Sequence, residues 1–242
     1  MIRFILIAVC TFCYHLSVLA QHVANEEDWS ELPKSINPGS SAEAPSDAVV
    51  LFDGTDLSQW SHADGRSPEW QVENGVLKIV PGTGDLISKE AFGDVQLHVE
   101  WMIPEEDHGN GNSGIYLQGR YEVQIFNSYQ NQTEIYYNGQ TGSLYKQFSP
   151  LVNASRPHGQ WDSYDIIFTA PRFAVDGTLV APAIFTVFHN GILIQHNAQL
   201  KGITTHEKLT QYEAHPLKQP LMIQDHGDQV SFKNIKIKEL GE

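Results

Sequence analysis

Gly119-Arg120-Tyr121-Glu122-Val123-Gln124-Ile125-Phe126-Asn127 is the stretch on which the reading of this chain turns. Tyr121, Val123 and Ile125 alternate with Glu122 and Gln124, and a β-strand points successive side chains to opposite faces. One face is apolar and fit for a core. The other aligns Arg120, Glu122, Gln124 and Phe126, so a cation, a carboxylate and an amide share one side. A purely solvated sheet face would give the same alternation. The preceding run Asn112-Ser113-Gly114-Ile115-Tyr116-Leu117-Gln118 repeats the pattern. It puts Tyr116 and Gln118 opposite Ile115 and Leu117, and the whole stretch lacks Lys.

Outward from that centre the same period recurs. Val95, Leu97, Val99 and Trp101 alternate with Gln96, His98 and Glu100. Short apolar runs at 49–52, 76–80, 163–169, 183–189, 191–196, 221–225 and 229–238 are bounded by Gly, Pro, Asn and Asp, the residues of turns. Asn190-Gly191 suits a two-residue hairpin. No helical segment longer than two turns carries an apolar stripe. The chain therefore predicts an all-β fold, a two-sheet antiparallel sandwich of jelly-roll type, with its chemistry on the polar face of a central strand.

A second chemical signal is Pro220-Leu221-Met222-Ile223-Gln224-Asp225-His226-Gly227, an apolar strand running into a carboxylate beside an imidazole. Such a pair can move a proton or hold a metal, or it can be an ordinary turn. The loop Glu105 to Asn112 is rich in oxygen ligands and Gly, which suits Ca²⁺, but it lacks the spacing of a calcium loop and reads first as an acidic surface loop.

Composition narrows the function. The chain of 242 residues has 15 Lys+Arg against 29 Asp+Glu, a formal charge of −14. Nucleic acid, which demands a basic face, is excluded as a partner, and an anionic membrane surface is disfavoured. The N-terminus, with Arg3, an apolar run from Phe4 to Cys13 and Val18-Leu19-Ala20, reads as a signal peptide over 1–20 cut after Ala20; the alternative is an uncleaved membrane anchor, for which the run is short and interrupted by His15. Cleavage predicts a secreted or periplasmic protein with no membrane attachment once the segment is removed. Both cysteines, Cys10 and Cys13, lie in this segment, so cysteine nucleophiles, disulfides and thiolate metal sites are not expected. Residues 21–48, acidic and then rich in Pro, Ser, Gly and Ala, read as a flexible tether. Residues 49–242 read as the β-sandwich domain.

Several stretches together resemble the 3-keto-disaccharide hydrolase family. They are Leu51-Phe52-Asp53-Gly54-Thr55-Asp56-Leu57 with Trp60, Asn112 to Tyr116, Tyr121 to Ile125, Thr141-Gly142-Ser143-Leu144-Tyr145, Gly159-Gln160-Trp161, Asn190-Gly191, Leu221 to Gly227, and Phe232-Lys233-Asn234-Ile235. The resemblance implies a concanavalin A-like jelly roll, a small carbohydrate substrate, and a functional partner oxidoreductase that makes the 3-keto sugar. It implies elimination chemistry, in which the ketone acidifies the C2 hydrogen, a base removes it, and the C1–O bond then breaks. Glu122 and His226 become the base and acid, in an order the sequence leaves open, with Asp225 orienting His226. Arg120, Gln124, Gln224 and Tyr116 become substrate contacts. Lys233 is a further contact, standing where the family often has Arg with its bidentate fork. The cofactor is left open: a divalent cation, Ca²⁺ or a transition metal, could serve as the electrophile instead, with Glu122 and His226 as ligands.

Rival readings remain, a purely structural secreted protein among them. A lectin-like module would share the fold without catalysis. A conventional glucanase would need two carboxylates about 5–5.5 Å apart, whereas Glu122 is followed two residues on by the amide Gln124.

Overall fold

The computed structural model describes residues 32–40, 43–105, 109–130, 136–206 and 210–241. The expected signal peptide and the start of the tether lie outside these residues.

The period-2 runs form strands, as their alternation requires. In chain order they are β1 (Val49–Phe52), β2 (Trp60–His62), β3 (Gln71–Glu73), β4 (Val76–Lys78), β5 (Leu86–Phe92), β6 (Val95–Met102), β7 (Ser113–Leu117) and β8 (Tyr121–Ile125). Then follow β9 (Asp162–Thr169), β10 (Arg172–Phe173), β11 (Leu179–Ala181), β12 (Ile184–His189), β13 (Ile192–Gln199), β14 (Gln219–Ile223) and β15 (Ser231–Glu239). One turn of 3₁₀ helix, Tyr137–Gly139, is the only helical element among the described residues.

The strands make two principal sheets, with every pairing antiparallel. The larger runs β13-β12-β9-β6-β15-β4-β3, with β1 also paired to β15; the smaller runs β2-β5-β14-β7-β8. β10 and β11 form a separate hairpin. This is the expected sandwich. Its core interleaves Val95, Leu97, Val99, Trp101, Tyr164, Ile166 and Phe168 of the large sheet with Ile115, Leu117, Tyr121, Val123, Ile125, Leu221 and Ile223 of the small one. Trp60, Trp101, Tyr121 and Tyr164 are fully buried. A core Phe or Leu contributes about 1.5–3 kcal/mol by leaving water. The sheets also meet through Tyr121 against Phe168, with ring centroids 5.9 Å apart, and through the Tyr164 hydroxyl, which donates to the Gln124 carbonyl at 2.7 Å.

β6 shows the expected alternation of buried and half-exposed residues along its length. Asn190 and Gly191 both take positive φ, 53° and 77°, and close the β12–β13 hairpin. Three expectations change. β5 is a strand the alternation missed: Lys89 and Glu90 are exposed in succession, and the pairing with β14 shifts register between Pro220 and Met222. An irregularity of this kind breaks the period-2 signal. Gln118 does not share a face with Tyr116, because β7 ends at Leu117 and Gln118 turns the chain with φ 57°; its amide donates to the Phe92 and Leu217 carbonyls. The last part of the expected tether is hydrogen-bonded, with Ser46 N donating to the Asn37 carbonyl at 3.0 Å and Asn37 N to the Ser46 hydroxyl at 3.1 Å.

Candidate active site

β8 is the end strand of the smaller sheet, and a bare strand edge invites unwanted pairing. Here two loops cover it. Gly142 N donates to the Gln124 carbonyl at 2.9 Å, Gln124 N to the Ser143 carbonyl at 3.0 Å, and Thr204 N to the Arg120 carbonyl at 2.9 Å. Glu122 N donates to the Thr204 hydroxyl at 3.1 Å. The polar face of β8 is therefore not solvated as an outer sheet face would be. All five residues of the strand are buried, and Glu122 and Gln124 are each only 3% exposed. They floor an open cleft lined by Tyr116, Glu122, Gln124, Tyr145, Gln224 and His226, with Asn112, Thr204, Thr205 and His206.

Register brings Tyr116 opposite Glu122 and Gly114 opposite Gln124 across β7 and β8. Gly114 leaves the room Glu122 needs. A Cβ on Gly114 would sit 2.4 Å from Glu122 Oε1 and 2.9 Å from Tyr116 Cε2. The Tyr116 hydroxyl donates to the carboxylate, which opposes the effect of burial; burial wins, and the Glu122 acid is pushed up to about 8. Burial and the neighbouring Glu122 charge push the Tyr116 phenol well above its usual value, so that phenol keeps its proton. Gln224 Nε2 donates to the Tyr116 hydroxyl at 3.3 Å. Gln124 Oε1 is buried and has no hydrogen-bond partner among the described residues.

The predicted site residues thus divide. Tyr116, Glu122, Gln124, Gln224 and His226 come together in the cleft. Asp225 sits beside it but does not orient His226 as expected. Its Oδ2 accepts from Gly84 N and its Oδ1 from Gly227 N, each at 2.9 Å, so it clamps the turn that ends β14. His226 stands exposed at the rim. Arg120 lies on the β7–β8 turn, outside the cleft lining, where its charge acts on Tyr121 and His215. Lys233 belongs to the other sheet. Its ammonium pairs with Glu100 at 3.2 Å and lies 4.1 Å from the Trp161 ring centroid. Phe232 points into the core, so strand alternation sends Lys233 to the outside face.

Five lining residues were not singled out as site residues from the sequence. Asn112 and Tyr145 lie in stretches that carried the family resemblance, without a role attached. Thr204, Thr205 and His206 come from a loop with no period. Among the described residues no three or more His, Cys, Asp or Glu side chains converge as a metal site. Glu122 and His226 both face the cleft, so a cation bound by them would complete its shell with amide, hydroxyl or substrate oxygens. The acidic loop at 105–112 lies partly outside the described residues; its Asn110 and Asn112 amides both donate to Asp228 Oδ2.

A jelly-roll sandwich with one buried carboxyl group in a polar cleft on its smaller sheet has the form of a carbohydrate-active protein. The chain belongs to the family of 3-keto-alpha-glucoside-1,2-lyase-like domains, whose profile matches residues 47–238. It is similar to the 3-keto-disaccharide hydrolase of Bacteroides thetaiotaomicron, at 25% identity over 83% of this chain and 82% of that one. A crystal structure of a candidate glycosyl hydrolase from Parabacteroides distasonis superposes with a TM-score of 0.84 and 43% identity, covering 88% of this chain and 94% of that one. A second structure from the same organism shares the fold, with a TM-score of 0.61 and 23% identity over 81% and 94% of the two chains.

Proposed function

We propose that this protein is an exported enzyme that cleaves the glycosidic bond of 3-keto-glycosides by C2–H abstraction, elimination and hydration. The observation that carries the reading is the lone buried carboxyl group. Among the described residues lining the cleft, Glu122 is the only Asp or Glu. A glucanase mechanism needs a second carboxylate as nucleophile or base. Elimination needs one strong base and polar groups for the developing enediolate.

Glu122 fits the base. A carboxylate whose acid is pushed up to about 8 is a stronger base than an exposed one, and C2–H beside a ketone needs it. The Tyr116 hydroxyl holds the ionised form in place. Gln224 and Gln124 supply amides for the C3 oxygen and neighbouring hydroxyls. Loss of the C1 oxygen then leaves an unsaturated ketone, to which water adds. The partner oxidoreductase that would supply the 3-ketone is part of the proposal, as is export.

The experiment incubates the protein with a 3-keto-glucoside and its unoxidised parent, each with and without EDTA. Aglycone release from the keto compound alone is expected, and loss of release in EDTA would assign a cation to the reaction. Cleavage of the parent alone would mean a conventional glycosidase, and binding of either sugar without cleavage a lectin-like module.

A further inference from the structure

Elimination also needs an acid for the departing C1 oxygen, and the cleft geometry points away from the imidazole at its rim. We propose that Tyr145 protonates the leaving oxygen and that Tyr136 returns the proton from solvent. This rests on the elimination reading and names a further catalytic residue within it.

Tyr145 lines the same cleft as Glu122, from the segment 141–148 that covers the edge of β8. Its hydroxyl is hydrogen-bonded to that of Tyr136, whose ring lies 6.2 Å away centroid to centroid. Tyr136 is 48% exposed, so the pair spans from cleft to solvent. The arrangement is built in. A Cβ on Gly139 would come 2.3 Å from the Tyr136 ring, so only glycine lets that ring lie where it does. Lys146 holds φ 60° and sets its ammonium 5.6 Å from the Tyr145 centroid and 5.8 Å from that of Tyr136. Burial, the Tyr136 hydroxyl and the neighbouring Glu122 charge hold the Tyr145 phenol above its usual value, so it keeps its proton until the leaving oxygen takes it. The same ammonium donates to the His206 carbonyl and so ties this wall to the 203–206 loop.

The other candidates are worse placed. The Tyr116 proton is engaged with the Glu122 carboxylate. His226 is exposed, and the carboxylate beside it accepts from two backbone amides instead. In the step itself Glu122 takes the C2 proton, the C1–O electron pair leaves with oxygen, and that oxygen takes the Tyr145 proton. Tyr145 recovers a proton from Tyr136, and Tyr136 from water. Water addition to the product and loss of the Glu122 proton to solvent restore the resting state with no redox change.

The test is a leaving-group series of 3-keto-glucosides, from alkyl alcohols to nitrophenol, on wild type, Y145F, Y136F and H226A, with thermal melting to confirm folding. Removing a general acid costs roughly 10²–10⁴-fold, and the loss should concentrate on alkyl aglycones and nearly vanish for nitrophenol. Y136F should lower kcat on alkyl aglycones, leave KM in place and change the solvent isotope effect. A Y145F loss equal across all aglycones, or no loss, overturns the proposal. So does an aglycone-dependent loss in H226A alone. A wild type inactive on every 3-keto-glucoside overturns the elimination reading and this proposal with it, whereas an active wild type with aglycone-independent variants overturns only this one.

Discussion

Glu122 has given up nearly all its hydration for one hydroxyl donor, and the direction of its shift fixes two pH effects. Its acid is raised from the ordinary value near 4.5 to about 8 by burial. The folded protein therefore binds this proton more tightly than the unfolded chain, and linkage makes the group's contribution to stability fall as pH rises from about 4.5 to about 8. Glu122→Gln removes the liability. Its melting temperature should exceed that of wild type by a margin that widens across this window and then levels off, reaching a few kcal/mol equivalent at most. A margin independent of pH would show that Glu122 is not buried in this way. The same variant should lose turnover on 3-keto-glucosides. As a base, Glu122 should make wild-type kcat/KM rise with pH up to a limb near 8; a fall through that region would make it the acid. Among the described residues, the other titratable side chains lining the cleft are Tyr116, Tyr145, His206 and His226.

Gly114 belongs to the same scale. Gly114→Ala should push the carboxylate off its seat, since the new methyl would overlap Glu122 Oε1. Misplacing a catalytic group by about 1 Å can cost roughly 100-fold. We expect a loss of that order in kcat, and almost no further loss when the change is made in Glu122→Gln. Additive losses would place the effect of Gly114 elsewhere. The alternation of 119–127 showed which side chains share a face with Glu122. It did not show the empty space across the strand that makes Glu122 fit.

At the scale of elements, the turn after β14 is held by a carboxylate that sequence reading gave to catalysis. Asp225→Ala removes the acceptor of two backbone amides, Gly84 and Gly227. Gly84 is half-buried and Gly227 exposed, so water can replace part of what is lost, and each bond contributes about 0.5–1.5 kcal/mol. The variant should melt several degrees lower and keep measurable turnover. A stable but inactive Asp225→Ala protein would restore the catalytic role. The Asp-His adjacency is local and easy to see, but the amide of Gly84 comes from more than a hundred residues earlier in the chain. β5 shows the same limit. Its bulge and its exposed Lys89-Glu90 pair erase the period, yet the strand lies between β2 and β14 in the sheet that carries the cleft.

Over the whole molecule, the two sheets separate residues that the motifs had grouped. Lys233 lies on the outside of the larger sheet with Glu100 and Trp161. Lys233→Met should leave kcat/KM within about two-fold of wild type, because this half-buried ion pair lies on the sheet face away from the cleft and its loss acts only locally. A large loss would bring that face into the reaction. The sequence by itself determined the fold class, the hairpin at Asn190-Gly191, and the shared face of Glu122 and Gln124. These follow from the two-residue period of an extended backbone and from the φ demands of turns, both of which are local. The tertiary structure decided that this polar face is roofed rather than wet. It also excluded Arg120 and Lys233 from the cleft and admitted Tyr145, Thr204, Thr205 and His206. Those outcomes depend on where aperiodic loops close over a distant strand edge. Such long-range contacts are set by packing and leave no repeat in the sequence to read.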